Sequence, residues 1–170
     1  MFIIRAKRAF GCFAVLVGSA LLISPAVADT SGSVSLSGAV TSTLAITASA
    51  TAGATLLDLD GDGAAGQHIV KVADLAISTN NEQGYELTAS SGNLTKVNGT
   101  SIAYQVTSVV DADPTPESGA FAVASGSNYV VTTGAAGEAN KDLYIMYTPA
   151  ALQDPGAYAA SISMAVTDNP

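Results

Sequence analysis

Beginning at residue 33 the chain alternates with a period of two. Val34, Leu36, Gly38, Val40, Ser42, Leu44 and Ile46 occupy the even positions, while Ser33, Ser35, Ser37, Ala39, Thr41, Thr43, Ala45 and Thr47 occupy the odd ones. Successive side chains of extended backbone point to opposite faces, so this pattern fits a strand with one face against a core and excludes a helix. At about 3.3 Å per residue, residues 33–47 would span more than ~40 Å, over twice a typical strand. The run must therefore bend, most simply at Gly38, or serve two sheets.

The same texture predicts strands over 54–59, 69–78, 84–91, 101–110, 120–124, 128–133, 142–148 and 156–167. Turn-forming residues fill the gaps, as in Asn80-Asn81-Glu82-Gln83-Gly84, Ser90-Ser91-Gly92-Asn93, Asn98-Gly99, residues 111–119 and Asp154-Pro155-Gly156. No window sustains a helical period. Many short strands with regular turns imply an all-β fold, a single antiparallel β-sandwich of immunoglobulin-like or jelly-roll-like type over residues 29–170. In the last strand Tyr158, Ala160, Ile162, Met164 and Val166 share the face expected to be core. Within 69–78 the apolar positions change parity, from Val70 and Val72 to Leu75 and Ile77, which requires one extra residue near Ala73-Asp74 and predicts a β-bulge. Tyr85, Leu87, Tyr104, Val106, Leu143, Ile145 and Tyr147 supply the bulk of the expected core.

Residues 1–28 read as a signal peptide. Arg5, Lys7 and Arg8 precede an apolar run over residues 9–23, and Ala26-Val27-Ala28 offers the small residues of a cleavage site. The run is shorter than the roughly 18–20 residues of a membrane-spanning helix, so the expectation is a secreted protein of the periplasm, cell surface or extracellular space, with no stable membrane insertion after cleavage. Cys12 is the only cysteine and lies in this leader, so the expected mature chain has no disulfide and no thiolate chemistry. After the leader there remain Lys71, Lys96 and Lys141 against 14 acids, a formal side-chain charge of −11 with no arginine. A chain without basic clusters cannot neutralise phosphates, which excludes nucleic acid as a partner.

Few residues suggest chemistry. Asp58-Leu59-Asp60-Gly61-Asp62-Gly63 matches the opening of a calcium loop, in which carboxylates at alternate positions converge on a hard cation. The matching positions further on are Gly66 and Ile69, so the shell lacks its bidentate glutamate, and Asp74 is the nearest replacement ligand. Asp58, Asp60 and Asp62 are thus candidate calcium ligands, and the alternative is a plain acidic loop. His68, the only histidine, has no catalytic partners by motif and is expected to be solvated or to pack against a loop, with no chemistry. Asp111, Asp113 and Glu117 fall in a Pro-rich connection read as flexible, solvated and unable to fix a carboxylate pair. Tyr129 and Tyr144 are the best candidates for an exposed sugar-stacking platform.

The start of the β-region, Val34-Ser35-Leu36-Ser37-Gly38-Ala39-Val40-Thr41-Ser42-Thr43-Leu44-Ala45-Ile46, and its end, Gly156-Ala157-Tyr158-Ala159-Ala160-Ser161-Ile162-Ser163-Met164-Ala165-Val166, resemble two groups of bacterial surface domains. These are the spore coat U-like pilin subunits of archaic chaperone/usher fimbriae and the Trp-x-Leu surface domains of Gram-positive bacteria. The resemblance implies a class and transfers no residue role. The pilin likeness implies donor-strand assembly, in which the alternating N-terminal segment of one subunit fills an open groove in the next. Val34, Leu36, Gly38 and Val40 would be the donor set. The simpler alternative makes residues 33–47 the domain's own first strand. Taken together, the expectation is an exported, non-enzymatic structural or adhesive protein of the bacterial surface, fimbriae or extracellular matrix, joined through strand edges to itself or to other surface proteins. The alternative is a secreted calcium- or carbohydrate-binding module.

Overall fold

The computed structural model describes residues 33–60, 66–134 and 140–170. The expected leader, residues 1–28, and Asp62 of the acidic loop lie outside them. Residues 33–38 belong to one compact unit of the chain and residues 39–170 form the other. In the first, residues 33–38 carry no regular structure and are exposed.

The second unit is all-β. Its strands are β1 (Ala45–Ala50), β2 (His68–Ser78), β3 (Tyr85–Ser90), β4 (Gly92–Leu94), β5 (Ile102–Val110), β6 (Asn128–Thr132), β7 (Asn140–Tyr147) and β8 (Met164–Asp168), with 3-10 turns at Ala52–Ala54 and Ser118–Ala120. They form two antiparallel sheets, a five-stranded one in the order β1-β2-β7-β5-β4 and a three-stranded one in the order β6-β3-β8. The architecture is sandwich-like, because inward residues of both sheets make one core. Leu75, Ile77, Val106, Leu143, Ile145 and Tyr147 of the larger sheet meet Tyr85, Leu87 and Ala89 of the smaller. These are alternating positions, as the period-two pattern requires.

The predicted bulge is present one position earlier than the sequence placed it. Lys71 pairs with Tyr144 and Ala73 with Leu143, so Val72 is the extra residue. The bulge turns both Val72 and Ala73 inward, and it brings Lys71 and Asp74, three positions apart, onto one side. Its free carbonyls are taken up by the chain leaving β1. The Thr51 N–H donates to Val72 O at 3.0 Å, and the Thr51 hydroxyl donates to Lys71 O at 2.6 Å.

Four expected strands are corrected. Residues 33–44 are not strand, and β1 pairs with β2 only over Ala45–Ala50. Alternation gives a segment two faces, but a strand also needs a neighbouring edge, and β2 ends at Ser78, opposite Ala45. Residues 54–59 are not strand either, since Thr51 is drawn into the bulge and the chain turns there. Residues 120–124 are not strand, since Ala120 closes a 3-10 turn and Phe121, just after it, is buried. The predicted strand over 156–167 shrinks to β8, preceded by a single bridge between Ala159 and Thr95, although Tyr158, Ile162, Met164 and Val166 do face the core as expected. The missed strand, β4, lies in what reads as a turn at residues 90–93.

The outer face of the larger sheet has its own cover. Phe121 packs on Tyr144 and Met146, with Ile69 and Val109 beside them. Gln105 Nε2 donates to the carbonyls of Phe121 and Val123 at 3.0 and 2.6 Å. The connection expected to be flexible is thus pinned to the sheet, with Pro116 buried and Asp111, Asp113 and Glu117 exposed.

Candidate functional site: an apolar groove between two unpaired strand edges

Among the described residues, strand β1 pairs only with β2, and β8 pairs only with β3. These two strands lie on the same side of the unit, so both sheets present an unpaired backbone edge there. Between the edges the core is open. A groove of about 250 Å³ penetrates it, walled by Ala48 and Ala50 of β1, Ala54 and Leu57 of the turn that follows, and Ala160, Ile162 and Met164 on the side of β8. Its floor is made by Val72, Ala73, Tyr104, Leu143 and Ile145. The floor residues belong to the core, whereas Ala48, Ala50 and Ala160 are exposed. An apolar lining is costly to leave in water, and the unpaired backbone edges beside it pair readily with an added strand.

The largest exposed apolar side chains include three of the donor set. Val34, Leu36 and Val40 are exposed to 86, 92 and 90%, and they alternate with serines and alanine over residues 34–40. Gly38 has no neighbouring atom within 4 Å of where a side chain would begin. Sequence reasoning singled out this segment and did not foresee the groove. The signal was the parity: Ala48 and Ala50 continue the even series of residues 34–46, and alanines at core parity leave room.

The other candidates come together less. Asp58 and Asp60 are exposed, and the Asp58 carboxylate accepts the Asp60 N–H at 3.3 Å in a local turn. The Asp58 carbonyl accepts the Tyr147 hydroxyl at 3.2 Å. Asp74 stands apart from them, in an ion pair with Lys71. His68 stacks on Tyr147, with ring centroids 5.3 Å apart and planes at 20°. Tyr144 and Tyr129 are corrections: Tyr144 is buried under Phe121, and Tyr129 is half-buried, with its hydroxyl 3.1 Å from that of Ser108.

Asp74, Asp111 and Asp142 place carboxylate oxygens within 4.8 Å of one another. The Lys71 ammonium sits among them, 2.6 Å from Asp74 and 2.7 Å from the buried Asp142. Hydrogen bonds to Asp142 and then Asp74 hold this ammonium well above the ordinary lysine range. Burial raises the phenols of Tyr104 and Tyr147 as well. The sign of the linkage is the same for all three. Below about pH 10 both folded and unfolded chains keep these protons, and above it the unfolded chain releases them first, so stability falls. Urea titrations from pH 8 to 12 should therefore show a midpoint that declines only above about pH 10. In the Tyr104→Phe/Tyr147→Phe double variant the decline should be shallower. An unchanged alkaline slope would contradict this account.

Comparison with protein-family models, with characterised proteins and with solved structures finds no match for this chain. Among the described residues no helix is long and apolar enough to cross a membrane.

Proposed function

We propose that this chain is an exported structural subunit of the bacterial surface that assembles with its own kind by strand donation. The observation that carries the reading is the groove between β1 and β8. In an immunoglobulin-type sandwich four strands in the order A-B-E-D face a sheet of C, F and G. The order β1, β2, β7, β5 resembles the first, β3 and β8 would stand for C and F, and among the described residues no strand lies beside β8 where G would. Residues 34–40 have what a G strand needs, since apolar side chains at every second position would enter the groove while the backbone pairs with the free edges.

The magnitudes are adequate. Burying Val34, Leu36 and Val40 contributes roughly 1.5–3 kcal/mol each, and every completed backbone hydrogen bond adds about 0.5–1.5 kcal/mol. The total exceeds the low end of the cost of association. On this reading function resides in edges and apolar faces, with no catalytic step, and the acidic surface keeps free subunits soluble.

Deleting residues 30–37 should abolish filaments in electron micrographs of the secreted fraction while the circular dichroism spectrum stays that of a folded β-protein. Filaments that survive the deletion would eliminate strand donation.

A further inference from the structure

Asn80 lies just past the end of β2, and its side chain acts on the chain entering β1. Its Nδ2 donates to Thr41 O at 2.8 Å, and its Oδ1 accepts the Thr43 N–H at 3.0 Å. Ala45 pairs with Ser78, so in antiparallel register Thr43 falls opposite Asn80. The amide side chain thus stands in for a peptide group and extends the β1–β2 ladder by one rung after the backbone of β2 has turned away.

We infer that Asn80 is a clamp that keeps the arm out of its own groove and reserves it for a second copy of the chain. This rests on the strand-donation reading. With residues 41–43 held extended, any reversal of the arm must precede Thr41. Directly opposite residues share a face, so the arm's even side chains can face the groove only from a hairpin with an odd loop, and the tightest of these, a three-residue loop over residues 38–40, sets Leu36 opposite Ser42 and Val34 opposite Leu44. Strand β1 contributes Ala48 and Ala50 to the groove, and Ala50 lies about 16 Å beyond Ala45 at ~3.3 Å per residue. Neither Val34 nor Leu36 reaches that level.

Releasing the clamp changes the register. A three-residue loop over residues 42–44 puts Val40 opposite Ile46, Gly38 opposite Ala48 and Leu36 opposite Ala50, so the arm's even side chains share the groove's face at the level of Ala48 and Ala50. The arm then fits its own groove, and a closed monomer competes with assembly at the high effective concentration of a short tether. Asn80 is a positioning residue in this scheme, since it touches the root of the arm and leaves the groove lining alone.

The test compares the leaderless chain with its Asn80→Ala variant by light scattering on the same micromolar samples. The expected result is filaments or oligomers for the parent and a monomer share at least tenfold higher for the variant. Deleting residues 30–37 from both should leave grooves that bind a synthetic peptide of residues 33–44 with equal affinity, because the variant's groove is intact. If Asn80→Ala does not fold, Asn80→Asp keeps the acceptor for Thr43, loses the donor to Thr41 and should shift the distribution the same way. A variant that assembles like the parent would overturn the clamp and leave strand donation standing. A parent that neither assembles nor, once arm-deleted, binds the peptide would overturn both.

Discussion

Mixing a copy that lacks residues 30–37 with a copy whose groove is blocked should give a one-to-one complex that grows no further. Strand donation is a head-to-tail contact between two different surfaces of one molecule, so it propagates unless one surface is removed. The arm-deleted copy can only receive and the blocked copy can only donate. Each alone should remain monomeric, and together they should cap each other.

The blocking substitution is Ala48→Glu. Ala48 is exposed in the free chain, so a carboxylate there stays hydrated and folding is spared. Beneath an incoming arm the same carboxylate is buried without a partner, which costs on the order of 3–5 kcal/mol. That is roughly a hundredfold to several-thousandfold in Kd, enough to suppress assembly at micromolar concentration. Sedimentation velocity distinguishes the outcomes. A single heterodimer peak agrees with the scheme, whereas ladders of higher species in the mixture, or polymers of the Ala48→Glu copy alone, refute it.

Legibility in the sequence followed what each inference depends on. Which side chain faces inward is a local property of extended backbone, and the parity of Leu75, Ile77, Leu87, Val106 and Ile145 was therefore readable, as was the bulge that resets it. Which strands pair is a non-local property. Alternation in residues 33–47 said that the segment has an apolar face, and it left open whether that face meets this domain or another. The decisive fact is that β2 ends at Ser78, and nothing in residues 33–44 encodes it. Tyr144 misled for a related reason. Strand β7 is buried on both faces because Phe121 returns over it, and a strand covered on both sides loses the one-sided pattern from which exposure is inferred. Asn80 reads in sequence as an ordinary turn residue, and only the β1–β2 register shows that its amide completes a ladder.

Replacing Gly53 with alanine should lower stability by about 1–3 kcal/mol and weaken peptide capture by the groove in the same stroke. A Cβ at Gly53 would collide with Lys71 O and lie 2.7 Å from Val70 Cγ1. Val70 could rotate, but Lys71 O belongs to β2, whose ladder with β7 runs through the centre of the larger sheet, so the turn at Ala52–Ala54 has to give way. That turn is fastened to the bulge by the two hydrogen bonds from Thr51 and carries Ala54 and Leu57 into the groove wall. Stability and capture are therefore coupled through one close approach. Gly119→Ala is the control, because open space surrounds that position, and its effect should fall within about 0.5 kcal/mol. Urea denaturation of both variants, followed by titration of the arm-deleted forms with the residue 33–44 peptide, measures the two quantities separately. Gly53→Ala matching Gly119→Ala in both would mean that the bulge and the turn do not support the groove, and the wall would then have to be held by β1 alone.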